Sequence, residues 1–146
     1  MENIAQGHVS RRAALAGLAL IAAPAAAADA ADPKAIGDFL ALWSAPDVTG
    51  AKLAAFMTED GEFRYERKAP VVGRAALIAA FDGYLAGGKR YRMEPIETHA
   101  KGPVVLQYRH ETPLTNGTPG HTETIAGIFI LAAGRIKIWE NFLVAA

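Results

Sequence analysis

The stretch GRIKIWENFLVAA, residues 134 to 146, decides the fold. After the turn-forming Gly134 its side chains alternate, so a β-strand would place Trp139 and Asn141 on one face. If that face lines a pocket, the amide of Asn141 can hold a water molecule or a ligand oxygen by hydrogen bonds. It has no basicity near neutral pH with which to take a proton. This strand therefore poses the choice between an enzyme and a binding protein.

The strand patterns continue upstream of residue 134. Strands are predicted in RYRMEPIETHA, PVVLQYRHETPL and TETIAGIFILAA, which Gly and Pro turns separate. In the second of these, alternation puts Gln107, Arg109 and Glu111 on one face and Tyr108 and His110 on the other. An Arg and a Glu two residues apart on a strand commonly form a solvated salt bridge. Spacing alone therefore does not select a function.

The part of the chain before these strands has mainly helical patterns. Ile36, Phe39, Leu40 and Trp43 recur at helical spacing and predict a first helix with one buried face. A short second helix is predicted in AKLAAFMTEDG, closed by Asp60-Gly61. A strand is predicted in EFRYERKAPVVG up to Pro70, and it holds Phe63 and Tyr65 on one face. A third helix is predicted in RAALIAAFDGYLAGG, ended by Gly87-Gly88. Helices followed by antiparallel strands predict an α+β fold.

Length and composition exclude several classes of protein. The chain has 146 residues, which is enough for a single domain with one core. It carries 15 Lys plus Arg and 15 Asp plus Glu, so no net charge attracts nucleic acid or an anionic membrane. It has no cysteine, which excludes thiol catalysis, thiolate metal sites and disulfides. We therefore expect a small-molecule partner and no nucleic acid.

The amino end has the composition of an export signal. SRRAALAGLALIAAPAAAADA, residues 10 to 30, combines a charged start, a short Ala/Leu-rich run and small residues suited to signal peptidase. We expect residues 1–30 to be removed, which leaves residues 31–146 as a periplasmic or secreted domain without stable membrane insertion. The Arg11-Arg12 pair resembles the twin-arginine signal but lacks its usual Phe and Lys, so ordinary secretion stays open as an alternative.

Four stretches of the mature chain carry a family resemblance. They are LAAFMTEDGEFRYE, APVVGRAAL, VVLQYRHETPL and GIFILAAGRIKIWENF, and they span essentially all of the domain. Together and in this order they resemble the limonene epoxide hydrolase family, a branch of the nuclear transport factor 2-like and SnoaL-like superfamily. The resemblance implies a cone-shaped, strongly curved mixed sheet over N-terminal helices (cystatin-like), a deep and largely apolar pocket, and a homodimer. We expect no cofactor.

The resemblance also assigns roles to residues. In such hydrolases an Asp base activates a water that a Tyr and an Asn hold, and an Arg lies between that base and a second Asp that protonates the epoxide oxygen. Arg109 and Glu111 match the Arg and the acid, Glu111 with one extra methylene. Asn141 stands at the base position, Phe63 at the water-holding Tyr position and Tyr65 at the water-holding Asn position. The resemblance thus implies that the acid half of the site is retained and the water-activating half is replaced.

Two functions remain open for this site. The candidate catalytic residues are Arg109, Glu111, Asn141 and Tyr65, and the candidate ligand contacts are Phe63, Trp139 and Gln107. Because a positioned general base contributes about 10² to 10⁴ in rate, we expect no standard epoxide hydrolysis. The site then either binds a small, mostly apolar molecule or works as an altered enzyme, an active hydrolase, isomerase or lyase in which Arg109 and Glu111 act with Tyr65.

Two further features predict no chemistry. His99, His110 and His121 lack a second ligand at metal-binding spacing, so no metal site is expected. His110 lies opposite Arg109 on its strand and is predicted to pack or to meet a dimer partner. The basic cluster KRYR, residues 89 to 92, is predicted to be a solvated loop.

Overall fold

The computed structural model describes residues 32–144 as one α+β unit, and the predicted export signal lies outside this range. The helices are α1 Pro33–Leu42, α2 Gly50–Ala54 and α3 Arg74–Leu85, and the strands are β1 Met57–Tyr65, β2 Val71–Val72, β3 Lys89–Lys101, β4 Val104–Thr115, β5 Thr118–Pro119, β6 Glu123–Ala132 and β7 Arg135–Leu143. A single 3-10 turn, Ala86–Gly88, follows α3. The predicted α+β class is confirmed.

The strands form one curled, mixed sheet in the order β2-β1-β7-β6-β4-β3, with β5 paired to β4. β1 and β7 run parallel, whereas the other neighbours run antiparallel. The register aligns side chains in rows across the sheet, and one such row is Val105, Phe129, Trp139 and Phe63. All four of these side chains are buried against the helices, so this inner face carries the core.

Helix α1 begins and packs as its sequence predicts. The Asp32 carboxylate accepts a hydrogen bond from the Lys34 backbone N–H at 2.9 Å, and Pro33 occupies the first turn, where it loses no helical hydrogen bond. Phe39 is fully buried, and its ring meets the Trp139 ring edge-on with centroids 4.9 Å apart. This contact docks α1 on the centre of the inner face.

The second predicted helix is wrong over most of its length. α2 ends at Ala54, and residues from Met57 onward belong to β1. The reason is tertiary, because the Ile136 backbone N–H donates to the Phe56 carbonyl at 2.9 Å and Met57 pairs with Ile136 of β7. Pairing with a distant strand thus outweighs the local helical pattern.

Two further boundaries differ from the sequence pattern. β1 ends at Tyr65 rather than near Pro70, because Glu66 adopts a left-handed conformation (φ 54°) and turns the chain back toward β2. Residues 89 to 92 are not a solvated loop but the start of β3. The Arg90 guanidinium donates to the carbonyls of Ala45 and Pro46 at 3.0 and 2.9 Å, which ties β3 to the segment after α1.

Of the helices between residues 32 and 144, none combines the length and apolar character that crossing a bilayer requires.

Candidate functional site

A cavity of about 260 Å³ opens on the inner face of the sheet, and we call it the inner-face cavity. Its lining residues are Trp43, Phe63, Tyr65, Lys68, Tyr84, Tyr91, Met93, Glu111, Glu123, Trp139 and Asn141. Six of these eleven side chains are aromatic, and the polar groups converge from β1, β4, β6 and β7. A mostly aromatic cavity with a few convergent polar groups is typical of a small-molecule site.

Sheet register brings the predicted site residues together. The parallel pairing of β1 with β7 sets Tyr65 beside Asn141 and Phe63 beside Trp139. On the other side, Glu111 of β4 pairs with Glu123 of β6. The cavity wall therefore forms from residues that are distant in the sequence and adjacent in the sheet.

Arg109 connects the two polar positions of the wall. Its Nη2 donates to Glu111 Oε2 at 3.1 Å and to Asn141 Oδ1 at 3.0 Å. The side chain is fully buried, and its guanidinium carbon lies 5.7 Å from the centroid of the Trp139 ring. The carbonyl oxygen of Asn141 is thus already an acceptor, which leaves its amino group to donate toward a ligand.

The guanidinium needs the space that Gly127 leaves open. Gly127 pairs with Gln107 on one side and with Asn141 on the other. A Cβ atom at this position would lie 2.6 Å from Arg109 Nη1 and 3.4 Å from Asn141 Oδ1. A glycine inside a strand indicates that another group approaches the backbone closely. Gly127 therefore marked such an approach in the sequence, but the sequence did not identify Arg109 as the approaching group.

Burial governs the ionisation of this site. Burial raises the pKa of Glu111 above its ordinary value, and the positive charge of Arg109 opposes this shift without cancelling it. Burial likewise raises the pKa values of Tyr65, Tyr84 and Tyr91, and the negative charge of Glu111 raises all three further. The tyrosine hydroxyls therefore stay protonated and can donate hydrogen bonds.

The predicted residues do not all reach the cavity. Phe63, Tyr65, Glu111, Trp139 and Asn141 line it, as the strand faces predict. Arg109 lies behind this wall, where it contacts the lining residues Glu111, Asn141 and Trp139. The structure does not bring Gln107 to the cavity: its side chain is buried, and its amide Nε2 lies 3.3 Å from the Thr98 hydroxyl.

Six lining residues were not among the predicted site residues: Trp43, Lys68, Tyr84, Tyr91, Met93 and Glu123. The helical spacing that predicts α1 includes Trp43, whereas no pattern in the sequence singled out Tyr84 on α3. Tyr91 lies where the basic cluster predicted as a loop overlaps the predicted strand RYRMEPIETHA, and neither prediction marked it as a site residue. The sequence identified faces of single elements, but it did not show where those faces meet.

Metal ligands do not cluster in the part of the chain that the structure describes. Between residues 32 and 144 no group of three His, Cys, Asp or Glu side chains is placed to hold a metal ion.

Comparisons with known proteins identify a matching domain family and similar folds. The SnoaL-like domain family matches residues 36–139. An LEH-like epoxide hydrolase of M. tuberculosis has a similar structure, with a TM-score of 0.65 at 17% identity over 76% of this chain and 80% of that one. A putative polyketide cyclase from Sinorhizobium meliloti gives 0.60 at 20% identity over 76% and 95% of the two chains.

A third similar structure is an NTF2-like protein with a cystatin-like fold from Novosphingobium aromaticivorans, with a TM-score of 0.57 at 22% identity over 77% of this chain and 79% of that one. No curated protein matches the sequence. At these identities the solved structures show the fold alone, and that fold is the curved NTF2-like sheet that the sequence resemblance implied.

Proposed function

Because this chain belongs to the SnoaL-like domain family, we propose that it binds a small, mostly apolar molecule in the inner-face cavity and does not hydrolyse epoxides. One observation carries the proposal. Asn141 occupies the position of the catalytic base in the epoxide hydrolases that this sequence resembles, and its Oδ1 accepts a hydrogen bond from Arg109 at 3.0 Å. An amide whose oxygen is engaged in this way can orient a ligand but cannot take a proton from water.

The neighbours of Asn141 support binding as well. Phe63 presents an apolar ring where a water-holding hydroxyl would be needed, and that ring packs on Trp139 with centroids 4.7 Å apart. Tyr65 lies beside Asn141 in the sheet, and its hydroxyl can donate to a ligand oxygen. The cavity therefore offers aromatic walls and a few donors but no group that activates water at position 141.

A second candidate function is an altered enzyme, such as an isomerase, cyclase or lyase. Glu111 and Tyr65 line the same cavity, and the pKa of each is raised. Their arrangement suits removal of a proton from a carbon next to a carbonyl by Glu111 while the Tyr65 hydroxyl donates to the carbonyl oxygen. Arg109 then stabilises the carboxylate form of Glu111 from behind the wall.

Freshly purified protein distinguishes the two functions. Native mass spectrometry is expected to find a retained ligand if the protein is a binder. Turnover across a panel of epoxides, lactones and enones, lost on Glu111→Gln or Tyr65→Phe, would instead establish the enzyme. An empty cavity with no turnover and no ligand binding would contradict both.

Export and processing are part of the proposal. The composition of residues 10 to 30 supports removal of residues 1–30 and a periplasmic or secreted protein. Mass spectrometry of protein from its native host should find a mature start near residues 29 to 32, and an intact Met1 would contradict it. Changing Arg11-Arg12 to Lys-Lys should stop export only if the twin-arginine route is used.

A homodimer through the outer face of the sheet is also proposed. On the outer face of β4, β6 and β7, Leu106 pairs with Ile128, and Tyr108 aligns with Ala126 and Phe142, which makes an apolar patch. Glu140 of β7 ends the row of Leu106 and Ile128. Leu106 and Tyr108 each remain 46% exposed. Contiguous apolar surface of this kind favours association, and the zero net charge leaves no long-range repulsion between two copies.

A further inference from the structure

We propose that the ligand of the inner-face cavity is a small organic cation, a tertiary or quaternary alkylammonium group held against Trp43, Tyr84 and Tyr91. We call these three side chains the aromatic corner. The inference rests on the proposed function, because it names the ligand class of the same cavity. The inference is that the single polar group of the mostly apolar ligand carries a positive charge.

The aromatic corner has the geometry of three walls that meet. The Trp43 ring lies 6.4 Å from the Tyr84 ring at 74° and 5.7 Å from the Tyr91 ring at 84°. The Tyr84 and Tyr91 rings lie 6.5 Å apart at 81°. Because the three planes are mutually close to perpendicular and all line one cavity, a compact ligand there meets aromatic rings from three directions.

The corner is held by contacts that need no ligand. Trp43 is the C-cap residue directly after α1, Tyr84 lies on α3 and Tyr91 lies on β3. The Tyr91 backbone N–H donates to the Trp43 carbonyl at 3.1 Å, and the Tyr91 hydroxyl lies 3.4 Å from the Tyr84 carbonyl. A preformed corner of this kind loses little conformational freedom when a ligand binds.

Ring faces and carboxylates both favour a positive ligand. The face of an aromatic ring is the negative side of its quadrupole, and it attracts cations that lie within about 6 Å. Glu111 and Glu123 line the same cavity, whereas Arg109 lies behind Glu111 and does not line it. The cavity therefore faces the negative end of the ion pair, and the charge of Glu111 raises the pKa values of Tyr84 and Tyr91 accordingly.

A cation of the chain itself already lies over a ring of the cavity. Lys68 lines the cavity, and its Nζ lies 5.2 Å from the centroid of the Tyr65 ring. An ammonium group of this chain thus rests on a cavity ring face. An alkylammonium ligand suits the interior better than a lysine, because its charge is spread over apolar methyl groups and is more weakly hydrated.

The test compares cations with neutral molecules of the same shape. The chain has two tryptophans, and both line the cavity, so intrinsic fluorescence reports on its occupancy. The protein is titrated with choline and with 3,3-dimethyl-1-butanol, in which carbon replaces the charged nitrogen, and with phenyltrimethylammonium and tert-butylbenzene. We expect at least one cation to bind about 10-fold more tightly than its neutral partner.

Variants assign that preference to the site. Tyr84→Leu removes a ring face and should abolish the preference, whereas Tyr84→Phe keeps the face and should retain it. Glu123→Gln changes an exposed residue at the cavity, so it should leave the fold intact and weaken cation binding more than the binding of the neutral partner. If both Tyr84→Leu and Glu123→Gln still bind the cation more tightly than its neutral partner, to the same extent as the parent, the inference is overturned.

The outcomes separate the inference from the proposed function. If the neutral partners bind as tightly as the cations, or if a neutral or acidic ligand co-purifies with the protein, the inference fails and the proposed function stands. If none of the four probes binds and native mass spectrometry finds the cavity empty, both fail.

Discussion

Arg109 is the residue on which the site depends. Its guanidinium is fully buried, and within residues 32–144 its Nε and Nη1 atoms have no hydrogen-bond partner. Its charge is balanced by Glu111 alone, since Asn141 supplies only an amide oxygen. A buried cation with a single counter-ion tolerates little displacement, because losing that partner leaves an uncompensated charge in the core.

Gly127→Ala should displace this guanidinium. The new Cβ would lie 2.6 Å from Arg109 Nη1, and we expect a loss of about 1 to 3 kcal/mol in the free energy of unfolding. Urea denaturation measures the change. Gly37→Ala is the control, because nothing lies within 4 Å of the added Cβ on α1. Equal stability of Gly127→Ala and the parent would show that Arg109 does not need this space.

Glu111 should give the stability of the fold a pH dependence of unusual sign. Its folded pKa is raised above the ordinary value of 4.5, so between those two values the folded state binds more protons than the unfolded state. The free energy of unfolding should therefore fall, for this group, as pH rises through that window.

Subtraction isolates this contribution from the other carboxylates. The pKa values of Asp60 and Glu62 are lowered, so they contribute stability that is lost as pH falls. Urea denaturation of the parent and of Glu111→Gln at a series of pH values gives the difference between them. That difference should decline with rising pH above 4.5, and a difference that rises would contradict the assignment.

Restoring a base at position 141 should not by itself restore epoxide hydrolysis. Asn141→Asp places a carboxylate beside Tyr65, but Phe63 stands at the position of the water-holding Tyr, so the attacking water lacks that hydroxyl. Orientation of the water can be worth several kcal/mol of a barrier. We expect little activity from the single variant. The triple variant with Phe63→Tyr and Tyr65→Asn should gain about 10² or more in single-turnover hydrolysis of limonene oxide. Efficient hydrolysis by the natural protein would show that Asn141 tolerates the chemistry.

At the scale of elements, the sequence predicted what depends on one strand or one helix. Alternation placed Trp139 with Asn141 and Phe63 with Tyr65 correctly, since a strand has two faces. The helix predicted over residues 51 to 61 was wrong from Met57 onward, because Met57 takes its hydrogen-bonded neighbours from β7. The contact between Tyr84 and Tyr91 was not predicted, since the two rings meet only because α3 and β3 come together beside α1. Such convergence is set by tertiary packing, which has no local signal.

The contact between α2 and α3 should depend on Gly50. A Cβ at Gly50 would clash with the Ile78 carbonyl oxygen, and the Gly50 N–H donates to the Asp82 carboxylate at 2.6 Å. We expect Gly50→Ala to cost about 1 to 3 kcal/mol. Gly83→Ala on α3 meets nothing within 4 Å, and it should stabilise the protein by about 0.5 to 1 kcal/mol. Thermal melts should show a lower melting temperature for Gly50→Ala and a higher one for Gly83→Ala than for the parent. Changes in the same direction for both variants would refute the packing argument.

At the scale of the whole molecule, the outer sheet face should control association. Leu106→Lys places a charge in the apolar patch of the outer face, and we expect it to convert the proposed dimer to a monomer, because a buried unpaired charge costs several kcal/mol. Sedimentation velocity measures the mass. Ala79→Lys adds the same charge at an exposed position of α3 and should leave the dimer intact. A parent that sediments as a monomer would refute the dimer itself.

The parallel pairing of β1 with β7 also governs how the domain can be made. β1 is the first strand of the domain to leave the ribosome and β7 is the last, yet Tyr65 and Asn141 become neighbours only when the two pair. Until then the nascent chain carries an unpaired β1 edge, which is prone to aggregate, and contacts between such distant segments form slowly. Chaperones therefore have a long interval in which to engage this chain before its cavity exists.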